Sequence, residues 1–140
     1  LISAGVNKLT RTTDRLQRTK QPRLLLAEDN QENINLFQDY LQVQGFQVVV
    51  ARNGSEAIER AQAEKPDLIL MDLQMPGMDG LEATRRLRAD PIFSQTPIIT
   101  LTALAMTGDR ERCLAAGANE YLSKPVNLEL LVRTINSYLN

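Results

Sequence analysis

Five short apolar runs, each followed by a stretch with helical spacing, constrain this chain more than any other feature. The runs are "RLLLA", "FQVVVA", "LILMD", "PIITLT" and a shorter one inside "EYLSKP". After the first, "NINLFQDYLQVQG" puts Ile34, Phe37 and Leu41 on one helical face and stops at Gly45 in the manner of a C-cap. "NGSEAIERAQAEKP" predicts a helix closed at Lys65-Pro66, and "GLEATRRLRAD" one with Arg85, Arg86 and Arg88 on its wet side. "GDRERCLAAGA" predicts a short, weakly apolar helix, and "NLELLVRTINSYLN" one with Leu128, Leu131, Ile135 and Leu139 on a stripe. Strands apolar at consecutive positions are buried on both faces. Alternating with helices, they predict a doubly wound α/β domain whose parallel sheet is covered on both sides.

The pattern begins at Pro22 and runs to Asn140, which makes residues 22–140 one domain of ordinary size. Residues 1–21 are polar and basic, with sparse Ile2, Leu9 and Leu16. They are expected to be a linker or connector, helical if the sevenfold spacing is used. The chain starts at Leu1 rather than Met, which points to a piece of something longer.

Composition removes several functions. A formal net charge of −1 gives no general field for nucleic acid or an anionic membrane, and no apolar stretch is long enough to span one. Without histidine and with one cysteine, Cys113, a zinc or other soft-metal site is not expected and a disulfide framework has no partners. A lone thiol suits a reducing cytoplasm. Any metal would be a hard cation on oxygen.

In open parallel sheets, ligands bind beyond the carboxyl ends of the strands. Glu28 and Asp29 follow the first run and Asp72 ends the third, while Thr102 ends the fourth and Lys124 follows the fifth. Each residue alone has a structural explanation. Acids favour helix N-termini, Lys-Pro marks turns, and an aspartate can cap a loop. Five such residues on one edge are not explained that way. Three carboxylates held together repel one another and need a proton or a cation to relieve them. Oxygen ligands on a wet rim suit Mg²⁺. Asp72 could then stay ionised and attack as a nucleophile to form an aspartyl-phosphate, with Lys124 and Thr102 binding phosphoryl oxygens.

At this point "LLAEDN", "LILMDLQMPGMDG", "PIITLTA" and "YLSKP", in this order and spacing, resemble the receiver domain of response regulators in two-component signalling. The resemblance spans about Pro22 to Asn140 and implies a flavodoxin-like (βα)5 fold with strand order 2-1-3-4-5. It implies Asp72 as the phospho-acceptor and a Mg²⁺ site of Glu28, Asp29, Asp72 and the Gln74 backbone carbonyl. Lys124 would bind the phosphoryl group, ahead of a cis bond to Pro125. Thr102, with the adjacent Ala103, and Tyr121 would form the switch. Gln74 and Leu104 occupy the positions where the family tunes attack by water. Asp79 has no chemical role in this scheme and reads as a loop or helix-start residue.

The expected function is phosphorelay signalling rather than enzyme catalysis on an external substrate. A histidine kinase or histidine phosphotransfer protein would donate, and a downstream protein would read the face of the fourth helix, fifth strand and fifth helix. Neither nucleic acid nor membrane would be touched directly. An aspartyl-phosphate phosphatase would want an acid where Gln74 stands, and a flavin carrier would want more than 4% aromatic residues. The rival reading is a receiver-like interaction module that works without phosphorylation. Stretches such as "ALAMTGDRERCLAAGANEYLSKP" resemble the C-terminal receivers of hybrid sensor kinases. A free-standing regulator is the alternative.

Overall fold

The computed structural model describes residues 21–103 and 107–140. The expectations for the connector and for Leu104 lie outside them. Five strands alternate with five helices: β1 (Arg23–Ala27), α1 (Gln31–Val43), β2 (Gln47–Ala51), α2 (Gly54–Glu64), β3 (Leu68–Asp72), α3 (Gly80–Ala89), β4 (Ile98–Thr102), α4 (Asp109–Ala116), β5 (Glu120–Ser123) and α5 (Leu128–Leu139). A 3₁₀ turn, Pro91–Phe93, follows α3. The strands form one parallel sheet in the order β2-β1-β3-β4-β5. The chain thus takes the doubly wound fold that its apolar runs and its resemblance imply.

Side chains along each strand point alternately to opposite faces. Leu25, Ala27, Ile69 and Met71 meet Ala57 and Ala61 of α2 and Ala83 and Leu87 of α3. Leu24, Leu26, Leu68 and Leu70 meet Phe37 and Leu41 of α1 and Leu131 and Ile135 of α5. Every residue of β3 and β4 is buried, as two-sided cover requires. Of the expected α5 stripe, Leu131 and Ile135 are buried, and Leu128 and Leu139 pack at its margin.

Local signals set the helix ends. Asn30, Asn53, Asp79 and Asn127 accept hydrogen bonds from the third residue beyond them and cap α1, α2, α3 and α5. Asp79 is therefore the helix-start residue expected. The eight-residue α4 has no side-chain cap and starts after Gly108. No helix among the described residues is long and apolar enough to cross a membrane.

Arg88 departs from the expected wet face. Its guanidinium donates to the carbonyls of Gly117 (2.8 Å) and Phe93 (2.6 Å) and to Asn119 Oδ1 (2.6 Å). Asn119 Oδ1 also accepts from Ile98 N at 2.9 Å. The planar fork of arginine can satisfy several acceptors at once, so tertiary partners draw it off the surface. Helical periodicity alone does not reveal those partners.

Candidate functional site

The register places the ends of β1, β3, β4 and β5 side by side. Ala27 pairs with Met71, Asp72 with Leu101, and Thr102 with Ser123. Residues that follow or end these strands therefore meet on one rim, although they are far apart in sequence.

Carboxylate oxygens of Glu28, Asp29 and Asp72 all lie within 4.8 Å of one another. Glu28 and Asp72 are buried, and Asp29 is exposed. Lys124 reaches the first two, with Nζ 2.6 Å from Glu28 Oε1 and 3.1 Å from Asp72 Oδ2. Glu28 also accepts from Asn30 N at 3.1 Å and Asn33 Nδ2 at 3.4 Å, so the start of α1 fixes its orientation. The cap position itself is taken by Asn30, which leaves both acids available to the rim.

Asp72 is held from three directions. Its Oδ1 accepts from Gln74 N at 3.2 Å, its Oδ2 accepts from Lys124, and its backbone sits in the fully buried β3. The following loop is tied down by Gly80 N to Leu73 O and by Gly54 N to Met78 O, each 3.1 Å. Gly80 allows an approach no other residue would, because an added Cβ would lie 2.0 Å from Asp72 O. The sharp turn after β3 thus sets the start of α3 directly against the acidic strand end.

Burial, and then the charge of Glu28, push the Asp72 carboxyl up to about 6 despite the opposing pull of Lys124. Burial by itself would lower the Lys124 ammonium. Its hydrogen bond to Glu28 and the charge of Asp72 outweigh that and raise it, so it stays protonated. The site holds more negative charge than one lysine comfortably offsets. Its donor set is all oxygen, with one exposed and two buried carboxylates, and this suits a small hard cation that keeps part of its water shell.

The remaining expected residues lie beside this cluster. Thr102 is buried at the end of β4, and its carbonyl accepts from Lys124 N at 2.8 Å. Ala103 next to it is exposed. Tyr121 is half-buried on β5, opposite Thr100 in the register and two positions from Thr102's partner. Burial and the Asp109 carboxylate raise its phenol. The Lys124-Pro125 peptide bond is cis.

Sequence reasoning passed over Asp109 and Arg112. Asp109 is buried at the first position of α4 and forms an ion pair with Arg112. Arg112 lines a cleft of about 570 Å³ that also touches Asp29, Gln74, Met75 and Asp79. The available signal was the i, i+3 spacing of opposite charges in "DRER", but nothing local says that the pair faces the acidic rim.

Residues 24–136 match the family of response regulator receiver domains. The polar-differentiation response regulator DivK of Brucella anthropi is 42% identical over 116 residues, which cover 83% of this chain and 94% of the relative. A putative response regulator from Chloroflexus aurantiacus has a TM-score of 0.82 at 31% identity, covering 86% of this chain and 98% of that one. The receiver domain of the sensor histidine kinase PA1611 from Pseudomonas aeruginosa was solved with a magnesium ion coordinated in its active site cleft. It has a TM-score of 0.80 at 39% identity and covers 85% of this chain and 98% of that one. Family match, relatives and topology agree, and the chain belongs to the receiver domains of response regulators, the signalling domains of two-component systems.

Proposed function

We propose that this receiver accepts a phosphoryl group on Asp72 from a phosphohistidine of a histidine kinase or phosphotransfer protein. The carrying observation is the convergence of Glu28, Asp29 and Asp72 within 4.8 Å, with Lys124 bonded to two of them. The chain contains no histidine, so the donor imidazole belongs to a partner or to another domain.

Glu28, Asp29, Asp72 and the Gln74 carbonyl would hold Mg²⁺, an assignment supported by the oxygen donor set and by the magnesium-bound relative. When bound, the ion supplies positive charge against the phosphoryl oxygens. A carboxylate oxygen of Asp72, kept at the rim by Gln74 N and by β3, attacks phosphorus in line. The bond to the donor imidazole breaks, and the imidazole keeps its electron pair. Lys124 exchanges part of its contact with Glu28 and Asp72 for a phosphoryl oxygen, and backbone Ala103 and the Thr102 hydroxyl bind others.

The phosphoryl group adds nearly two negative charges at one fixed point. In this reading Thr102 and Tyr121 rearrange together and alter the face of α4, β5 and α5, which a downstream protein recognises. The chain acts in the cytoplasm and modifies itself, and water attack on the acyl phosphate resets it. Residues 1–21 would connect the receiver, 22–140, to a hybrid sensor kinase.

Intact-mass measurement after incubation with acetyl phosphate and Mg²⁺ tests the proposal. One phosphoryl adduct is expected on the wild type and none on Asp72→Asn. An unchanged adduct on Asp72→Asn would overturn the acceptor assignment. No adduct on the wild type would favour the interaction module that works without phosphorylation.

A further inference from the structure

The cleft beside the acidic rim has an uneven charge distribution. Asp29 and Asp79 line it, and the buried Glu28 and Asp72 have carboxylate oxygens within 4.8 Å of that of Asp29. Among the described residues lining the cleft, one side chain is cationic, that of Arg112. Lys124, paired with Glu28 and Asp72, does not line it. An incoming phosphoryl donor is itself an anion, and the charged side chains lining its way to the metal site are two carboxylates and this one guanidinium.

Arg112 has the properties needed to offset this. Its side chain is 65% exposed, whereas that of Asp109, with which it pairs, is 2% exposed. The buried partner fixes the base of the pair, and the long arginine stem leaves its head free to turn. A guanidinium also binds two oxygens of one phosphoryl group in a planar fork, which a point charge such as lysine does less well.

We propose that Arg112 is a positioning residue for phosphoryl transfer, turning its guanidinium from Asp109 to the dianionic phosphoryl group of the incoming donor. The inference rests on Asp72 being the acceptor. In the transfer an Asp72 oxygen forms the new O–P bond while the donor's O–P or N–P bond breaks. The departing acetate or amine keeps the electron pair, and the amine takes a proton from water. Arg112 forms and breaks no covalent bond.

The test measures phosphorylation rates of the full chain with acetyl phosphate and with phosphoramidate in saturating Mg²⁺. Arg112→Gln is expected to raise KM for both donors by roughly three- to tenfold, with little change in the rate at saturation, as loss of one nearby charge predicts. Arg112→Lys should recover part of the loss. The difference should shrink as salt rises from about 20 mM to about 500 mM, where the Debye length falls from roughly 20 Å to roughly 4 Å. Because Arg112→Gln leaves Asp109 without this partner, the Asp109→Asn/Arg112→Gln double variant is measured as well. It should keep the raised KM even if it regains stability. Unchanged kinetics in Arg112→Gln, a loss independent of salt, or a loss with one donor alone would overturn the proposal. Wild-type labelling that Asp72→Asn abolishes, beside unchanged Arg112→Gln kinetics, would reject this inference and leave the acceptor assignment standing.

Discussion

Gly80 stands so close to Asp72 that a Cβ built on it would lie 2.0 Å from the Asp72 carbonyl oxygen and 2.8 Å from the carbonyl carbon. Both obstructing atoms are backbone of the central strand, so the clash cannot be relieved by a side-chain rotation. Gly80→Ala is expected to lower stability by about 1–3 kcal/mol, the usual range for overpacking. It should also slow labelling of Asp72 by moving the strand end. Urea unfolding and acetyl phosphate labelling of the same sample check both effects.

The Asp72 carboxyl gives a pH dependence with a definite sign. Its value in the fold, about 6, lies above the ordinary 3.8, because burial and Glu28 disfavour its charge. The folded chain therefore holds this proton more tightly than the unfolded chain. The stability it contributes is full below about pH 4 and is lost as pH climbs through about 6. In chelator, Asp72→Asn should be more stable than the wild type by about 1–3 kcal/mol at neutral pH, with the gap closing toward pH 4. Denaturant melts across that range provide the measurement, and a gap that widens in acid would contradict it.

Divalent cation should act on the same charge cluster. If Mg²⁺ binds the folded site as proposed, the melting temperature should rise with its concentration, by an amount equivalent to about 2.7 kcal/mol at a hundredfold excess over Kd. Asp29→Ala removes the exposed carboxylate and should abolish most of that rise, with little effect on the metal-free protein. Thermal scans with and without Mg²⁺ separate the two outcomes. An undiminished rise in Asp29→Ala would remove this residue from the ligand set.

Arg88 ties the end of α3 to the turn before β5 through Gly117 and Asn119, and to Phe93. Gly117 has φ +118, and a Cβ there would come within 2.2 Å of Arg88 Cγ, so arginine and glycine are fitted to each other. Arg88→Ala should cost about 2–3 kcal/mol, because a half-buried guanidinium and three acceptors lose their bonds together. Arg88→Lys should recover little, since an ammonium cannot span the fork. Chemical denaturation of the two variants checks the order.

The fold was legible because burial on both faces writes itself into consecutive apolar residues such as "LILMD", and the rim because strand ends in a parallel sheet fall on one edge. Asp79 was readable for a local reason, as capping depends on residues three positions away. Arg88 was not, since its acceptors lie 5, 29 and 31 positions away and no periodicity encodes them. Arg112 escaped for a related reason. Its partner is local, whereas the cleft it faces is built by the loops after β1 and β3.

The Lys124–Glu28 contact joins residues 96 positions apart, one following the inner strand β1 and the other following the edge strand β5. Neither end of that contact has its place until β3 and β4 have been laid between them. If Asp72 is the acceptor, the capacity to be labelled is therefore a property of the finished sheet. A chain emerging from the ribosome, or one whose last strand has peeled away, carries Asp72 but not the Lys124 contact that reaches it in the finished fold. Under the proposed assignment, labelling of Asp72 would therefore report that the sheet is complete.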